Sequence, residues 1–401
     1  MHPLLFLAIL YFSVPSVDAS EPKPKEDAFL GGSTSIGEEL SQAAEVHSRS
    51  TWKWKGLRAR LIEQHGLAVS SDYATLLQQA DGSLSGSDQA MSGVFRLYGR
   101  WTLVGRGTDD AGTLVAKVEQ RHRLSGDVTP AGLASEIGYA GITGLGFSDA
   151  GAFVAPFYWE QFFASGHVGI VAGRLDSTDF MDILGLGSQW NSFQNAAAIS
   201  NLSIPAPDLG YGVGAGVKLN DQWVIGTTLH DANGKQTDAR WFRDGGELFK
   251  QAYVSWTPTR ARRFTNAAHL TLWHQDSRET RELEESYGVA VSGNWLFNER
   301  WMPFLRWGIA DGDAPLARQQ LTMGMMFNVP DSTEQLGVSA WWQDLSHRDL
   351  DDQSGLELFY RWQVIPNLAI TPSVQLLNDP ALNSDENSII VYGLRARVTF
   401  F

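Results

Sequence analysis

The sequence predicts an all-β chain that closes into a transmembrane antiparallel β-barrel of about sixteen strands, with a short N-terminal helical segment and inward-folded loops. Three observations carry this. The chain closes on a long alternating strand, SIIVYGLRARVTFF at 388–401. There Ile390, Tyr392, Leu394, Ala396, Val398 and Phe400 form one face, while Arg395, Arg397 and Thr399 lie on the other. A period of two sends successive side chains to opposite sides of a strand, so one face suits hydrocarbon and the other carries guanidiniums. The same alternation recurs along the chain with charges and amides on the polar face, which a dry sheet core would reject and a wet lumen accepts. Finally, beyond the N-terminus no stretch of 18 or more apolar residues would make a membrane-spanning helix.

Composition agrees with this class. The 401 residues include 40 Gly and 11% aromatics, which suits many tight turns. There is no cysteine, which excludes disulfides and thiolate metal sites. The net charge of −14 argues against nucleic acid as a partner, because that requires a basic surface.

In chain order, residues 1–19 read as a signal peptide. Leu4 to Val14 is the apolar core, and Val17-Asp18-Ala19 fits a small-residue cleavage site. Residues 20–65 read as a periplasmic linker and helical segment, and 66–401 as the barrel. Ser20 to Asp27 is rich in proline and charge. Ile36 to Val46 reads as helix, with Ser35 as N-cap and Glu38 and Glu39 in its first turn. Thr51 to Gln64 mixes aromatics with cations, which fits an interfacial helix or a solvated helix tucked against the barrel end.

From Leu67 the period changes to two. Strands are predicted at 67–78, 93–104, 112–122, 153–163, 167–175, 209–219, 223–231, 247–257, 267–275, 286–297, 302–310, 319–328, 335–343, 354–364, 367–377 and 388–400. An even count closes the barrel with both termini on one side. Trp223, Trp256, Trp295, Trp301, Trp342 and Trp362 recur near strand ends, as interfacial girdles would place them. Two long connections, Leu124 to Ala152 and Asp176 to Asp208, break the even spacing. The second holds Phe180, Met181, Ile183, Leu184, Leu186, Trp190 and Phe193, too apolar to stand in water, so it is expected to fold inward.

Several stretches together resemble the carbohydrate-selective porin family, often called OprB-like. They are WKGLRARLIEQHG at 54–66, YWEQFF at 158–163, VAGRLDSTDFMD at 171–182, LTLWHQD at 270–276 and PFLRWGIADG at 303–312. The most specific are LELFYRWQVIPNLAITPSVQLLNDPALN at 356–383 and VYGLRARVTF at 391–400. The chain departs from the family-like ending by the extra Phe401. The resemblance implies a barrel in the outer membrane of a Gram-negative bacterium, surrounded by lipid and lipopolysaccharide. It further implies that mono- and small oligosaccharides diffuse through the barrel to the periplasm. A homotrimer is compatible with that class, and no cofactor is implied.

Given sugars as solutes, the constriction should offer polar side chains that exchange hydrogen bonds weakly and an aromatic surface for ring C–H faces. The candidates are Lys117, Glu119 and Arg121 on the third strand, Arg123 just after it, and Arg174 at the end of the fifth. The loops add Glu136, Trp190, Asn191 and Asn195. An Arg fork bridges adjacent hydroxyls better than a lysine does. The competing role for each cation is an internal ion pair that braces the wall. Gly210, Gly212, Gly214 and Gly216 alternate as one bare strand face and no phosphate-binding turn follows them. Asp311 with Asp313, and Asp349, Asp351 and Asp352, read as solvated turns. The histidines match no zinc spacing and there is no G-x-S-x-G elbow, so neither a metal site nor an enzyme is expected. The alternative within transport is a general diffusion porin for small hydrophilic solutes or ions.

Overall fold

A computed structural model describes residues 30, 39, 40, 43, 55–180, 187–241, 245–330, 332–347 and 349–400. The signal segment, the linker at 20–27, Phe401, and Met181, Ile183, Leu184 and Leu186 of the second long loop lie outside the described residues.

Sixteen strands form one closed antiparallel barrel, each paired with its sequence neighbours and the first with the last. They are β1 Leu67–Ala80, β2 Gln89–Val104, β3 Gly112–Ser125, β4 Gly151–Phe163, β5 Val168–Leu175, β6 Gly210–Lys218, β7 Trp223–Asp231 and β8 Leu248–Trp256. They continue as β9 Asn266–Gln275, β10 Ser286–Trp295, β11 Trp301–Asp311, β12 Ala317–Asn328, β13 Gln335–Leu345, β14 Gln353–Ile365, β15 Leu368–Asn378 and β16 Ser388–Thr399. Every expected strand is present, and β7 agrees at both ends. Closure is by β1 on β16, with Ala74 opposite Arg397 and Asp72 opposite Thr399. With no edge left, every strand finds its backbone partners inside the sheet, as hydrocarbon requires.

The face of each strand follows the alternation. Leu270, Leu272, Val213, Leu305, Leu358, Tyr392 and Leu394 are exposed on the outside. Asp72, Arg96, Gln320, Glu357, Gln375 and Arg395, on the inner face, are buried. An apolar outer face beside a buried polar inner face inverts the arrangement of a water-soluble sheet. At one barrel end the connections are short, as at 164–167, 219–222 and 366–367; at the other are 126–150, 176–209 and 232–247. Trp223, Trp256 and Trp295 line up at the short-turn end with ring centroids 6.5 and 6.1 Å apart, and Trp301 meets Phe327 there at 4.4 Å.

Helix α1, Lys55–His65, leads into β1. Gly66 follows it at φ 67, and its N–H donates to the Ile62 carbonyl at 2.9 Å. Trp101 Nε1 and Arg106 Nη1 then donate to the carbonyls of His65 and Gln64, at 3.0 and 3.2 Å. Three of the last carbonyls of α1 are thereby satisfied and its end is pinned to β2 and the turn after it. Upstream, Glu39, Leu40 and Ala43 are helical. They come from the stretch expected to lie on the periplasmic side, and they are buried against inward-facing side chains of the wall.

Candidate functional site at the barrel constriction

Both long connections fold into the lumen, and the polar inner faces of the strands are what hold them. In the first, helix α2, Leu133–Ile137, packs its apolar side on the wall beside Trp341, Leu377 and Ile389. Tyr139 then accepts from Trp341 Nε1 at 2.9 Å and donates to Gln343 Oε1 at 3.3 Å. Burial holds the Tyr139 hydroxyl protonated well above the usual phenol range. Gln353 spans the Ala140 peptide, accepting from its N–H and donating to its carbonyl. Gln78 and Gln375 both donate to the Thr143 carbonyl at 2.8 Å.

The second connection is seated more tightly. Glu357 of β14 accepts the backbone N–H of Gln194 at 2.8 Å and of Asn195 at 2.9 Å. Asn195 caps helix α3, Ala196–Ile199, by accepting from Ala197 N–H, and donates to Gln375 Oε1 at 3.0 Å. Gln320 donates to the carbonyls of Ala197 and Ser200 and accepts from Leu202 N–H. Phe193 is wedged between Phe359 and Phe304, with centroids at 4.9 and 5.9 Å. Bare backbone on the wall lets the loop come close. A Cβ on Gly308 would lie 2.0 Å from Ser203 Oγ, and one on Gly393 would lie 2.8 Å from Gln194 Oε1. The inner face therefore serves largely as a hydrogen-bonding bed for loop backbone, leaving less of it to water than the alternation alone suggests.

Beside this bed runs a ladder of charges. Arg96 of β2 makes a forked pair with Asp72 of β1, at 2.8 and 2.5 Å, and also pairs with Glu39 at 2.5 Å. Asp72 takes a second guanidinium from Arg397 of β16 at 2.7 Å, and Arg397 reaches Asn191 Oδ1 at 2.8 Å. On β3, Glu119 lies 2.6 Å from Arg121 and 3.4 Å from Lys117, and Lys117 lies 4.0 Å from Glu39. Arg395 donates to the carbonyls of Gln189 and Ser192, which fixes the chain either side of Trp190. The Trp190 ring lies under the Arg96 guanidinium at 4.2 Å and against Phe147 at 5.4 Å.

Two cavities meet this partition. One, of about 460 Å³, opens toward the long loops; Lys117, Glu119, Arg121, Asp176, Asp208 and Arg306 are among its lining residues. The other, of about 920 Å³, lies among the short turns; Ala43, Asn191, Glu334, Arg361 and Arg397 are among its lining residues. Trp190 lines both, so the two cavities meet at Trp190, beside the ladder. In the upper cavity Asp208 keeps an exposed residue surface, yet loop atoms strip water from its carboxyl and the negative Asp176 lies nearby. Both push its pKa above the usual carboxylate value, against Arg121, Arg281 and Arg278.

The structure brings together Lys117, Glu119, Arg121, Trp190 and Asn191, and the β3 charges pair with one another as the bracing role foresaw. The other expected residues lie elsewhere. Asn195 is a buried cap that seats the loop. Glu136 accepts from Ser85 Oγ in the β1–β2 turn. Arg123 is exposed and donates to the Asp127 carbonyl. Arg174 does not face the lumen as expected. It shares the outer face with its register partners Phe157 and Tyr211, and donates to the carbonyls of Lys235 and Gln236 at 2.7 and 2.6 Å. Asp72 and Arg306 were not singled out from the sequence, and Glu39 was read only as a first-turn residue of a helix. For Arg96, Arg395 and Arg397, the polar alternation of β2 and β16 was the available signal.

Residues 259–400 match the sequence model of a family described as carbohydrate-selective porin, OprB family. No curated protein matches the chain. The fold is similar to the high-pH structure of Pseudomonas putida OprB, with a TM-score of 0.65 at 13% identity, over 87% of this chain and 98% of that one. For the low-pH structure of the same protein the TM-score is 0.54 at 13% identity, over 87% and 97%. A mutant of the Rh. blastica porin gives 0.51 at 13% identity, over 83% of this chain and all of that one. At such identities the structural likeness speaks for the fold.

Proposed function

We propose that this chain, matched over residues 259–400 by the carbohydrate-selective porin family, is a porin of the outer membrane of a Gram-negative bacterium. Mono- and small oligosaccharides diffuse through it passively toward the periplasm. One observation carries the reading. The barrel is closed, apolar outside and polar within, and its inward loops leave cavities that meet at Trp190 beside the ladder of charges. A closed barrel of this size holds a channel, and a channel with weak, multiple hydrogen-bonding sites passes solute without trapping it. Because Asp72 and Glu119 are each shared by two of the cations at the waist, those charges are partly offset, and neutral polyhydroxylated solutes meet hydrogen-bonding groups that neither repel nor hold them by charge. The reading is of a channel and not of an enzyme.

Residues 1–19 act as the export signal in this reading, and lipid and lipopolysaccharide surround the apolar belt. The test is reconstitution. In planar bilayers the purified chain gives steady ionic conductance that drops when neutral oligosaccharide is added, and liposomes carrying it swell in mono- and disaccharide solutions. Conductance that no neutral sugar alters would leave a barrel without sugar preference. Absence of conductance under all conditions would remove the channel itself.

A further inference from the structure

At mid-height the outward-facing residues of the barrel are apolar on most strands: Leu272 on β9, Met323 on β12, Leu358 on β14 and Leu394 on β16 are all exposed there. Thr227 of β7 also faces outward, but its hydroxyl donates to the sheet carbonyl of Gln251 at 2.7 Å. The sector β1–β3 breaks the pattern. On β1, Ser71, Tyr73 and Thr75 alternate with inward Asp72 and Ala74; on β3, Gln120 and His122 alternate with inward Glu119 and Arg121. Register sets Tyr73 and Gln120 on either side of Phe95, and Thr75 and His122 on either side of Gly93, so the five form one patch. Its depth follows from the same register. Tyr73 lies six residues from Leu67, the partner of Trp101, and six from Gln79, the partner of Tyr392. Trp101 and Tyr392 are exposed aromatics toward opposite ends of the barrel, where the two membrane interfaces would hold them. The patch therefore lies at the depth of hydrocarbon. Part of it satisfies itself. A Cβ on Gly93 would collide with Tyr73 Oη, so the bare glycine lets Tyr73 lean across β2. Tyr73 Oη and His122 Nε2 are hydrogen-bonded at 2.9 Å, with the rings stacked at 5.8 Å. The rest is left over. His122 Nδ1 is buried without a partner, and the side chains of Ser71, Thr75 and Gln120 make no hydrogen bond among the described residues. Lipid tails offer them none, and these side chains are too short to reach a headgroup.

We propose that the outer face of β1–β3 is where copies of this chain meet in the membrane, with the patch around Tyr73, Gln120 and His122 at the centre of the contact. Polar side chains at this depth ordinarily face protein, and between membrane segments they hydrogen-bond across the contact. The occupant is a second copy because the patch complements itself. Serine, threonine, tyrosine, glutamine and neutral histidine each both donate and accept. None of the five is a carboxylate, a lysine or an arginine, so a charged partner would find no counterion here. A surface of that kind pairs with its own image across a symmetry axis. The inference goes beyond what the barrel passes, and rests only on the outer face meeting lipid.

The test uses the full chain. Copies carrying two different affinity tags are co-expressed, extracted in mild nonionic detergent and captured by one tag. The other tag should come with it, and light scattering should give a multiple of one chain's mass. Gln120→Leu combined with His122→Leu makes the patch apolar. Co-capture should then be lost and the mass fall to one chain, with strand content and single-channel conductance retained, because neither residue faces the lumen. Leu272→Val, on the opposite wall of the closed barrel, should change none of these. A second measurement avoids detergent. The chain has no cysteine, so Asp88→Cys, exposed in the turn between β1 and β2, takes a donor or an acceptor dye. In vesicles dilute enough that chance neighbours give no signal, energy transfer should be present between labelled chains and lost when the two leucines are added. Co-capture and transfer undiminished by the leucines would overturn the contact at this patch. Absence of transfer in a labelled chain that still conducts would overturn the contact and leave the channel standing. A different protein captured in place of the second copy would overturn it as well. A parent that neither closes its barrel nor conducts would remove the lipid-facing surface, and the inference with it.

Discussion

At the scale of single residues, the waist depends on buried polar groups that came from different parts of the chain. Glu357 is the sharpest case. Fully buried on β14, it takes the N–H groups of two consecutive loop residues. Glu357→Gln keeps the shape but offers only one accepting oxygen and turns an NH2 toward the other N–H. An unsatisfied buried donor costs about 1–3 kcal/mol, so the loop should loosen while the barrel stays closed. The expected outcome is higher open-channel noise at unchanged polymer cut-off; noise identical to the parent would mean that other contacts seat the loop alone. Asp208 gives a pH prediction. Its raised pKa means that it takes up a proton at higher pH than an ordinary carboxylate does, and so its charge is lost early on acidification. Cation preference of the channel should therefore begin to fall just above the ordinary carboxylate range. Asp208→Asn lacks that charge at every pH: the variants should differ at neutral pH and converge in acid. Reversal potentials across a salt gradient measure both, and parallel curves at all pH would place Asp208 outside the ion path.

At the scale of elements, the strands were legible and the seats for the loops were not. Period two with a polar inner face marks β1 to β16 because each face meets one environment along its whole length. The missed strand ends have a local cause: β2 begins at Gln89, where Gln89 to Ser92 carries no apolar alternation. Arg174 was misread because a cation on a barrel strand was assigned to water, whereas here the 232–241 stretch covers it from outside. The partners across the waist are equally hidden, since Asp72 and Arg397 meet only once the last strand closes on the first, 325 positions away. The apolar inner-face residues Phe304, Trp341 and Phe359 violate the alternation for a reason that appears only when Phe193 and Tyr139 are seen against them. This assigns the loop's hold to a specific aromatic wedge. Phe193→Ala should cost about 3–5 kcal/mol of local stability. Most of that would appear as protease sensitivity within 187–209, with strand content by circular dichroism unchanged. A loop as resistant as the parent's would show that the hydrogen bonds from Glu357, Gln320 and Arg395 suffice.

At the scale of the whole molecule, the claim that decides the rest is which surface meets hydrocarbon. Leu270 lies midway along β9 with its side chain outward and is 41% exposed, while its neighbour Thr271 is buried within. On a protein that folds in water, Leu270→Arg would replace an exposed apolar group with a solvated one, and such surface changes fall within about 0.5 kcal/mol either way. In a bilayer the same change sets a guanidinium in the lipid belt, at a cost of about 2–4 kcal/mol near the midplane and less toward the interfaces. Leu270→Phe keeps the position apolar and should be tolerated in both settings. Denaturant titrations of the three chains refolded into lipid vesicles give the comparison directly. The inside-out barrel requires a clear loss for Leu270→Arg and little change for Leu270→Phe. Equal midpoints for all three would mean that water, and not lipid, wets the outer face, and the polar interior would then need a different explanation from a solute path.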